Sequence, residues 1–273
     1  MTLADSKRQF RGIDLFKFVF ALAVVAIHAE PLKNIILPEF MLDFYNAFLG
    51  LAVPYFFIAS GFFLFNRENV KQETLWKNAL KILRFYLVWT IIYLPFSFHM
   101  LRDYNLPDAL LRIGYSLLFT GGIYGPLWYL LGLFYTLIVI ALFHRKGIKW
   151  IVFWIISLFG FVLSRMLSVA KASYALPYFL DLITGPATLL RAPFYVSAGM
   201  IIAIYKPRGK AIIFAATAIA GLTISTAINI SLFGDGLTAV VAILTFLATK
   251  EWKLATHVAF SFMRRLCPIL RGI

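Results

Sequence analysis

Long apolar segments that alternate with short cationic blocks are the feature that most constrains how this chain folds. Apolar residues make up 62% of its 273 residues, and charged residues only 14%. A helix of about 20 apolar residues crosses the hydrocarbon core of a bilayer, where a helix pairs its own backbone groups. We therefore expect an all-α, polytopic helical membrane bundle of about eight or nine transmembrane helices, with the lipid bilayer as its first partner.

The cationic blocks predict the topology. Lysine and arginine number 26 against 12 acidic residues, which gives a formal net charge of +14. Such an excess is also found in nucleic-acid-binding proteins, but here the cations lie between apolar spans and not along one soluble face. The positive-inside rule then places the N-terminus in the cytoplasm, and we expect no nucleic acid as a partner. The expected location is the cell (inner, cytoplasmic) membrane.

The pattern predicts one membrane domain over residues 1–273, with no internal repeat and no linker. No cleavable leader is apparent, so the first span is expected to be retained. The segment 110–119 is apolar but too short to cross, which favours an interfacial or re-entrant helix. Residues 67–84 are predicted as a cytoplasmic loop and 233–236 as an outer turn. The predicted spans cover residues 13–29, 44–65, 85–98, 127–143, 150–167, 187–205, 211–231 and 237–249.

Two ionisable residues lie within the first apolar run. Lys17 and His28 are separated by about 1,100° of helical rotation, so they lie within about 20° of one face and roughly 16 Å apart along the axis. A cation in the hydrocarbon core costs roughly 2.5 to 3.5 kcal/mol on insertion scales, so an intramembrane ionisable residue indicates a functional site. The simpler alternatives are that Lys17 extends to the headgroups and that His28 lies in the wet interface.

The predicted topology arranges the other polar candidates along one path. His28, Trp128 and Arg191 fall in the outer part of the membrane, and Lys17 and Ser60 fall in the inner part. Arg191 is costly to bury because guanidinium does not lose its proton. The structural alternatives are an interface anchor for Arg191, the interfacial aromatic belt for Trp128, and close helix packing for Ser60 with the glycine that follows it.

The histidines and the cysteine limit the chemistry. His99, His144 and His257 lie beside other charges in loops or at helix ends and are predicted to be solvated. His28 has no second histidine or carboxylate three or four residues along the chain, so no metal site is expected. Cys267 lies in the tail and no GxSxG motif is present, so direct transfer is simpler than a covalent enzyme intermediate.

The polar set suits proton transfer at an acyl group. A histidine changes its charge near neutral pH and can take the proton of a hydroxyl as that hydroxyl attacks an activated acyl group. Arginine and lysine can bind the anionic parts of a phosphate-bearing donor, and arginine can do so through two hydrogen bonds at once. The residues alone therefore indicate group transfer to a hydroxyl.

Five features in order along the first 205 residues resemble the membrane-bound acyltransferase family 3. The first is a basic residue that is followed, after ten intervening residues, by a histidine (Lys17 and His28). The others are RGID at 11–14, FFIASGFFLF in the second span, LWYL at 127–130 and RAPFYVSAGM around Arg191. The resemblance implies transfer of an acyl group, often acetyl, from cytoplasmic acyl-CoA to a hydroxyl of a cell-envelope glycan at the outer face. It implies His28 as the catalytic residue, and Lys17 and Arg191 match the family's important cations. Together with Ser60 and Trp128, these two cations are the candidate donor- or acceptor-binding residues. Acyl-CoA (acetyl-CoA) is then a co-substrate, with no permanently bound cofactor.

The first 65 residues also resemble the membrane half of VanT-type serine/alanine racemases. In those proteins this half is tied to L-serine import and precedes a soluble pyridoxal-phosphate domain, so a transport or binding module for L-serine or a similar solute is the second hypothesis. The family's further span, usually near a late histidine, has no counterpart in this sequence, so we expect its last helix to be missing. A truncated relic with neither activity is the third hypothesis.

Overall fold

The structure, a computed structural model, describes residues 10–32, 35, 37–66, 70–97, 105–120, 127–173, 190–228 and 231–252. All regular structure in these segments is helical, which confirms the all-α class. Several sequence predictions fall on residues outside these segments: the cationic N-terminus, the start of the 67–84 loop, His99, the 187–189 start of the sixth span, His257 and Cys267.

The described helices are α1 (Arg11–Ala29), α2 (Glu39–Gly50), α3 (Ala52–Phe65), α4 (Gln72–Ser97), α5 (Leu106–Tyr115), α6 (Trp128–Arg145), α7 (Trp150–Ser173), α8 (Ala192–Tyr205), α9 (Ala211–Ile228) and α10 (Ser231–Glu251). Among them, four stretches are long and apolar enough to cross a membrane: Arg11–Ala29, Glu39–Phe65, Trp128–Arg145 and Trp150–Ser168. The chain is thus a helical membrane protein.

Some predicted boundaries are wrong. The predicted loop over 67–84 is helical from Gln72 onward, where Lys77 and Glu73 form an ion pair of 2.6 Å across one turn of α4. The predicted outer turn over 233–236 belongs to α10, because each helical glycine costs only about 1 kcal/mol and the apolar residues that follow pack against α9.

The second predicted span, 44–65, lies within the single apolar stretch Glu39–Phe65, in which Leu51 alone separates α2 from α3. Pro54 lies in the first turn of α3 and has no N–H to bond to the carbonyl of Gly50, four residues earlier. A proline is tolerated in a first turn but not further along a helix. Pro54 therefore lies where a helix tolerates it, three residues after the junction at Leu51.

The centre of the bundle is the contact between α3 and α8. A Cβ placed on Gly61 would overlap the backbone of Val196, and a Cβ placed on Gly199 would overlap the backbone of Ile58. Such backbone contact between helices is possible only at small residues. Nearly every residue of α8 from Ala192 to Ala203 is buried, so α8 forms the core around which the other helices pack.

The helices α1 and α10 cover one side of this pair. Tyr55 of α3 is fully buried, its ring centroid lies 4.7 Å from that of Phe20 on α1, and its hydroxyl is 2.8 Å from the Thr249 hydroxyl on α10. A Cβ on Gly12 would overlap the carbonyl of Thr249. The glycine of the RGID motif thus allows α1 to contact α10 directly.

Replacing Tyr55 with phenylalanine is expected to lower the free energy of unfolding by about 1 kcal/mol, the net value of one hydrogen bond. The effect stays small because the Thr249 hydroxyl also donates to the carbonyl of Phe246, at 2.9 Å, and is not orphaned. Reversible unfolding in mixed micelles measures the change. A loss above about 3 kcal/mol would contradict this account and indicate a larger polar network.

The two ends of the bundle differ in charge. The connections 146–149 and 206–210 lie at the end where α6 and α8 finish, and Lys250 on α10 donates a 2.7 Å hydrogen bond to the carbonyl of Pro207 there. This cationic end carries Arg145, Lys146, Lys149, Lys206, Arg208, Lys210 and Lys250. α3, α6 and α8 all begin at the opposite end, where the first residues of the three helices line one cavity.

His144, at the cationic end, is a correction to the sequence analysis. It was expected to be solvated, but it is half-buried, its Nδ1 lies 2.9 Å from Oε1 of Gln72, and its ring centroid is 5.6 Å from that of Trp150. Gln72 also donates to the carbonyl of Ala141 at 2.9 Å. The histidine therefore joins the start of α4 to the end of α6, a tertiary contact that local charge pattern does not reveal.

The segment predicted as interfacial or re-entrant is a short amphipathic helix, α5, followed by a π-helical turn, Ser116–Thr120. The hydroxyl of Tyr86 on α4 donates to the carbonyl of Leu117 at 2.7 Å, and that of Tyr135 on α6 donates to the carbonyl of Leu118 at 2.6 Å. Two tyrosines thus bind the carbonyls of a turn whose own hydrogen bonding is irregular.

Candidate functional site

A cavity of about 290 Å³ lies among the first turns of α3, α6 and α8. Its polar groups come from Trp128, Arg165, Arg191, Tyr195 and Thr238, and we name it the arginine cavity after its two cations. Its apolar wall is formed by Ile27, Leu49, Val53, Pro54, Phe57 and Phe161. A polar cleft with an apolar wall at a helix junction is the ordinary form of a small-molecule site.

Arg191 lies immediately before α8, at the N-cap position, and Pro193 is the second residue of that helix. Its Nε donates to the hydroxyl of Ser164 at 3.3 Å, and its Nη2 to the hydroxyl of Ser168 at 3.5 Å, both on α7. The guanidinium is therefore oriented by α7 next to the positive end of the α8 dipole, which favours a bound anion. The sequence placed Arg191 one turn inside a longer span, whereas the described helix starts at Ala192.

The sequence analysis missed Arg165. This residue lies on α7, one residue after Ser164, and lines the cavity together with Arg191. The sequence could have revealed it, because Arg165 is a cation inside the apolar stretch Trp150–Ser168, and a cation in a membrane helix is a candidate functional residue. Two guanidinium groups make this cavity suited to a carboxylate or a phosphate.

Trp128 lines the arginine cavity, as the predicted clustering with Arg191 requires, and Ser60 lies behind its wall. The Trp128 and Phe57 ring centroids are 6.0 Å apart, and Phe57 lies against Tyr129 at 4.6 Å. The Ser60 hydroxyl donates to the carbonyl of Phe56 at 2.8 Å and is 3.0 Å from the Tyr129 hydroxyl. In this structure Ser60 joins α3 to α6 and supports the cavity wall from one turn deeper.

Lys17 lies away from the arginine cavity. Its ammonium donates to Asp14 at 3.2 Å and lies 4.1 Å from the ring centroid of Phe63. Phe63 is in the last turn of α3, toward the cationic end of the bundle. The pairing with a carboxylate and an aromatic face lowers the cost of placing the charge on a partly buried helix face.

His28 is exposed in the last turn of α1, and Glu30, in the left-handed conformation with φ 44°, ends that helix. The residue before the histidine, Ile27, lines the arginine cavity. The structure therefore brings Trp128 and Arg191 together in one cavity, whereas Lys17 lies away from it and His28 is not among the residues that line it.

A second cavity, of about 530 Å³, lies between the end of α1 and the helix α2, and we name it the α2 cavity. Its polar groups belong to Glu30, Tyr45 and Asn46. Ile27, Leu49 and Gly50 line both cavities, so the two spaces adjoin at these three residues. Sequence patterns did not identify this cavity, because it forms where a helix end and a helix break meet.

Comparison with known proteins identifies the chain. The family model described as "Acyltransferase domain", acyltransferase family 3, matches residues 10–267. The chain belongs to this acyltransferase family. The arginine cavity, His28 and the α3–α8 core all fall within the matched residues, and no solved structure matches the chain.

The curated relatives of this acyltransferase-family chain are much longer proteins. An amino-acid racemase of Enterococcus faecalis is 36% identical over 122 residues, which are 44% of this chain and 17% of that protein. A serine/alanine racemase of Enterococcus gallinarum is 31% identical over 125 residues, again 44% and 17%. A further E. faecalis amino-acid racemase is 30% identical over 150 residues, or 52% and 21%. The chain thus spans about a fifth or less of these relatives.

The arginine cavity of this acyltransferase-family chain is suited to an anion, because two guanidinium groups and the Trp128 residue line it. His28 follows a lining residue, Ile27, in sequence, but does not itself line the cavity. The described segments contain no group of three or more histidine, cysteine, aspartate or glutamate side chains that could hold a metal ion. The arrangement of the two guanidinium groups supports binding of an anionic group.

Proposed function

We propose that the chain is a membrane O-acyltransferase that moves an acyl group, acetyl in our expectation, from cytoplasmic acyl-CoA to a hydroxyl of a cell-envelope glycan or a similar acceptor. This proposal rests on the membership of the chain in the acyltransferase family. The separation of charge supports the orientation, since the positive-inside rule places the cationic end in the cytoplasm and the arginine cavity toward the outer face.

In the proposed reaction His28 acts as the general base. The acceptor oxygen attacks the carbonyl carbon of the thioester while its proton passes to the imidazole, and the bond between that carbon and the sulfur of CoA then breaks. The thiolate of CoA leaves and is protonated. Lys17, near the cationic end, and Arg191, in the arginine cavity, bind anionic groups of the donor or of the developing transition state.

The deciding experiment follows release of free CoA from acetyl-CoA by purified protein in liposomes, with candidate hydroxyl acceptors. The proposal expects release that requires both an acceptor and His28. Release that proceeds equally with His28→Ala, or without any acceptor, would contradict the proposed mechanism.

Arg191→Lys is expected to lower kcat/KM for transfer by tenfold or more. Lysine keeps the charge but loses the planar pair of donors, and a hydrogen bond to a charged group is worth about 1.5 to 3 kcal/mol. Steady-state kinetics in liposomes measure the change. Arg208→Lys is the matched control, because Arg208 is exposed in the connection between α8 and α9 and is expected to tolerate the same replacement. Equal effects of the two variants would refute a specific role for Arg191.

The racemase relatives favour one alternative, a transport or binding module for L-serine or a similar small solute. Two arginines next to an aromatic ring also suit the carboxylate of an amino acid. This alternative expects uptake of L-serine into the same liposomes that is independent of acyl-CoA. Uptake without CoA release would replace the first proposal with the second.

A further inference from the structure

The arginine cavity and the α2 cavity have opposite chemical character although they share a wall. The arginine cavity carries two cations, whereas the α2 cavity carries the carboxylate of Glu30 with the phenol of Tyr45 and the amide of Asn46. A carboxylate disfavours an anionic occupant, and carboxylate, amide and phenol groups together donate and accept hydrogen bonds. The rest of its lining is apolar and consists of Ala26, Ile27, Leu32, Ile35, Leu42, Leu49 and Gly50. The α2 cavity therefore suits a neutral or amine-bearing molecule that has hydroxyl groups on one side and an apolar face on the other.

The size of the two spaces is consistent with separate occupants. Small-molecule sites measure about 300 to 1,000 Å³. The α2 cavity, at about 530 Å³, is in this range, and the arginine cavity, at about 290 Å³, is close to its lower limit. The larger space has room for a ring-sized polyhydroxylated unit, while the smaller one has room for an anionic group.

We propose that the two cavities form one bipartite site, in which the α2 cavity holds the hydroxyl-bearing unit of the acceptor and the arginine cavity holds an anionic group. This inference rests on the proposed acyl transfer. The shared wall of Ile27, Leu49 and Gly50 is the passage where the two occupants meet, and His28 follows Ile27 in the last turn of α1. Tyr45 and Asn46 are then specificity residues for the acceptor and not catalytic residues.

Gly50 is the position that keeps this passage open. It is the last residue of α2, it lines both cavities, and a Cβ built on it would meet no atom within 4 Å. A longer side chain at this position can therefore occupy the shared space without a clash in the fold. Gly114 on α5 also has no atom within 4 Å of a built Cβ but lines neither cavity, so it is a matched control.

The first test measures binding without turnover. The single Cys267 is replaced by serine, and a new cysteine is introduced as Leu42→Cys in the α2 cavity or as Val53→Cys in the arginine cavity. N-acetylglucosamine is expected to slow maleimide labelling at Leu42→Cys at least threefold and to leave Val53→Cys unchanged. Inorganic phosphate is expected to do the reverse. Protection of both positions by one probe, or of neither by either, would overturn the assignment.

The second test closes the passage. Gly50→Leu is expected to lower acyl transfer at least tenfold while both protection patterns remain, and Gly114→Leu is expected to leave transfer unchanged. Undiminished transfer by a folded Gly50→Leu variant would overturn the bipartite site. If the wild-type protein shows the two protection patterns but no transfer with any acceptor, the proposed function fails and the two-compartment site stands.

Discussion

Replacing His28 with alanine is expected to lower acyl transfer by a factor of about 10² to 10⁴, the usual contribution of a positioned general base. The protein is expected to accumulate and unfold as the wild type does, because His28 is exposed at the end of α1 and its removal opens no core cavity. Product formation in liposomes, measured together with the unfolding temperature, separates these two effects.

The matched control is His144→Gln. His144 is a half-buried histidine at the cationic end, and its recorded contacts are with Gln72 and Trp150. Glutamine keeps a hydrogen-bonding group near Gln72, so transfer is expected to persist with a small loss of stability. Transfer that survives in His28→Ala would assign the proton to another group. Equal loss in both variants would indicate that folding, and not proton transfer, is being measured.

The sequence predicted the part of the fold that composition dictates. Apolar segments of spanning length and the cations between them predict a helical membrane protein, because the bilayer imposes one length and one hydrogen-bonding solution on every span. The glycines of 233–236 were interpreted by a local rule as a turn, but the apolar residues that follow them pack against α9 and the segment is helical. Helix ends are the places where a few tenths of a kcal/mol of local preference compete with packing, so patterns predict them poorly.

The candidate site, like the fold, was only partly predictable from the sequence. Arg191 and Trp128 were predicted because charge and aromatic residues are conspicuous within apolar spans, and the structure brings them into one cavity. Ser60 matched a motif, yet its neighbours Phe56 and Tyr129 show that it supports the wall. The α2 cavity has no sequence signature, since it arises from the meeting of two helix ends that are separated along the chain.

The second large effect is expected at the contact between α3 and α8. Gly199→Ala is expected to destabilise the protein by about 3 kcal/mol or more, because overpacking a tight core costs 1 to 3 kcal/mol even where flexible side chains can move. Here the added methyl group would overlap the backbone of Ile58, which cannot move without the whole helix. Unfolding in mixed micelles and the amount of protein accumulated in membranes measure the loss.

Gly61→Ala would overlap the backbone of Val196 across the same contact and is expected to have a similar effect. The double variant is expected to lose less than the sum of the two, since one separation of the helices relieves both overlaps. Gly114→Ala is the control, because its methyl group meets nothing and alanine favours a helix by about 1 kcal/mol over glycine. A stable Gly199→Ala protein would show that α3 and α8 are not in backbone contact. The position of Arg191 beside Trp128 would then lose its structural basis, because Arg191 directly precedes α8 and Trp128 packs against Phe57 of α3.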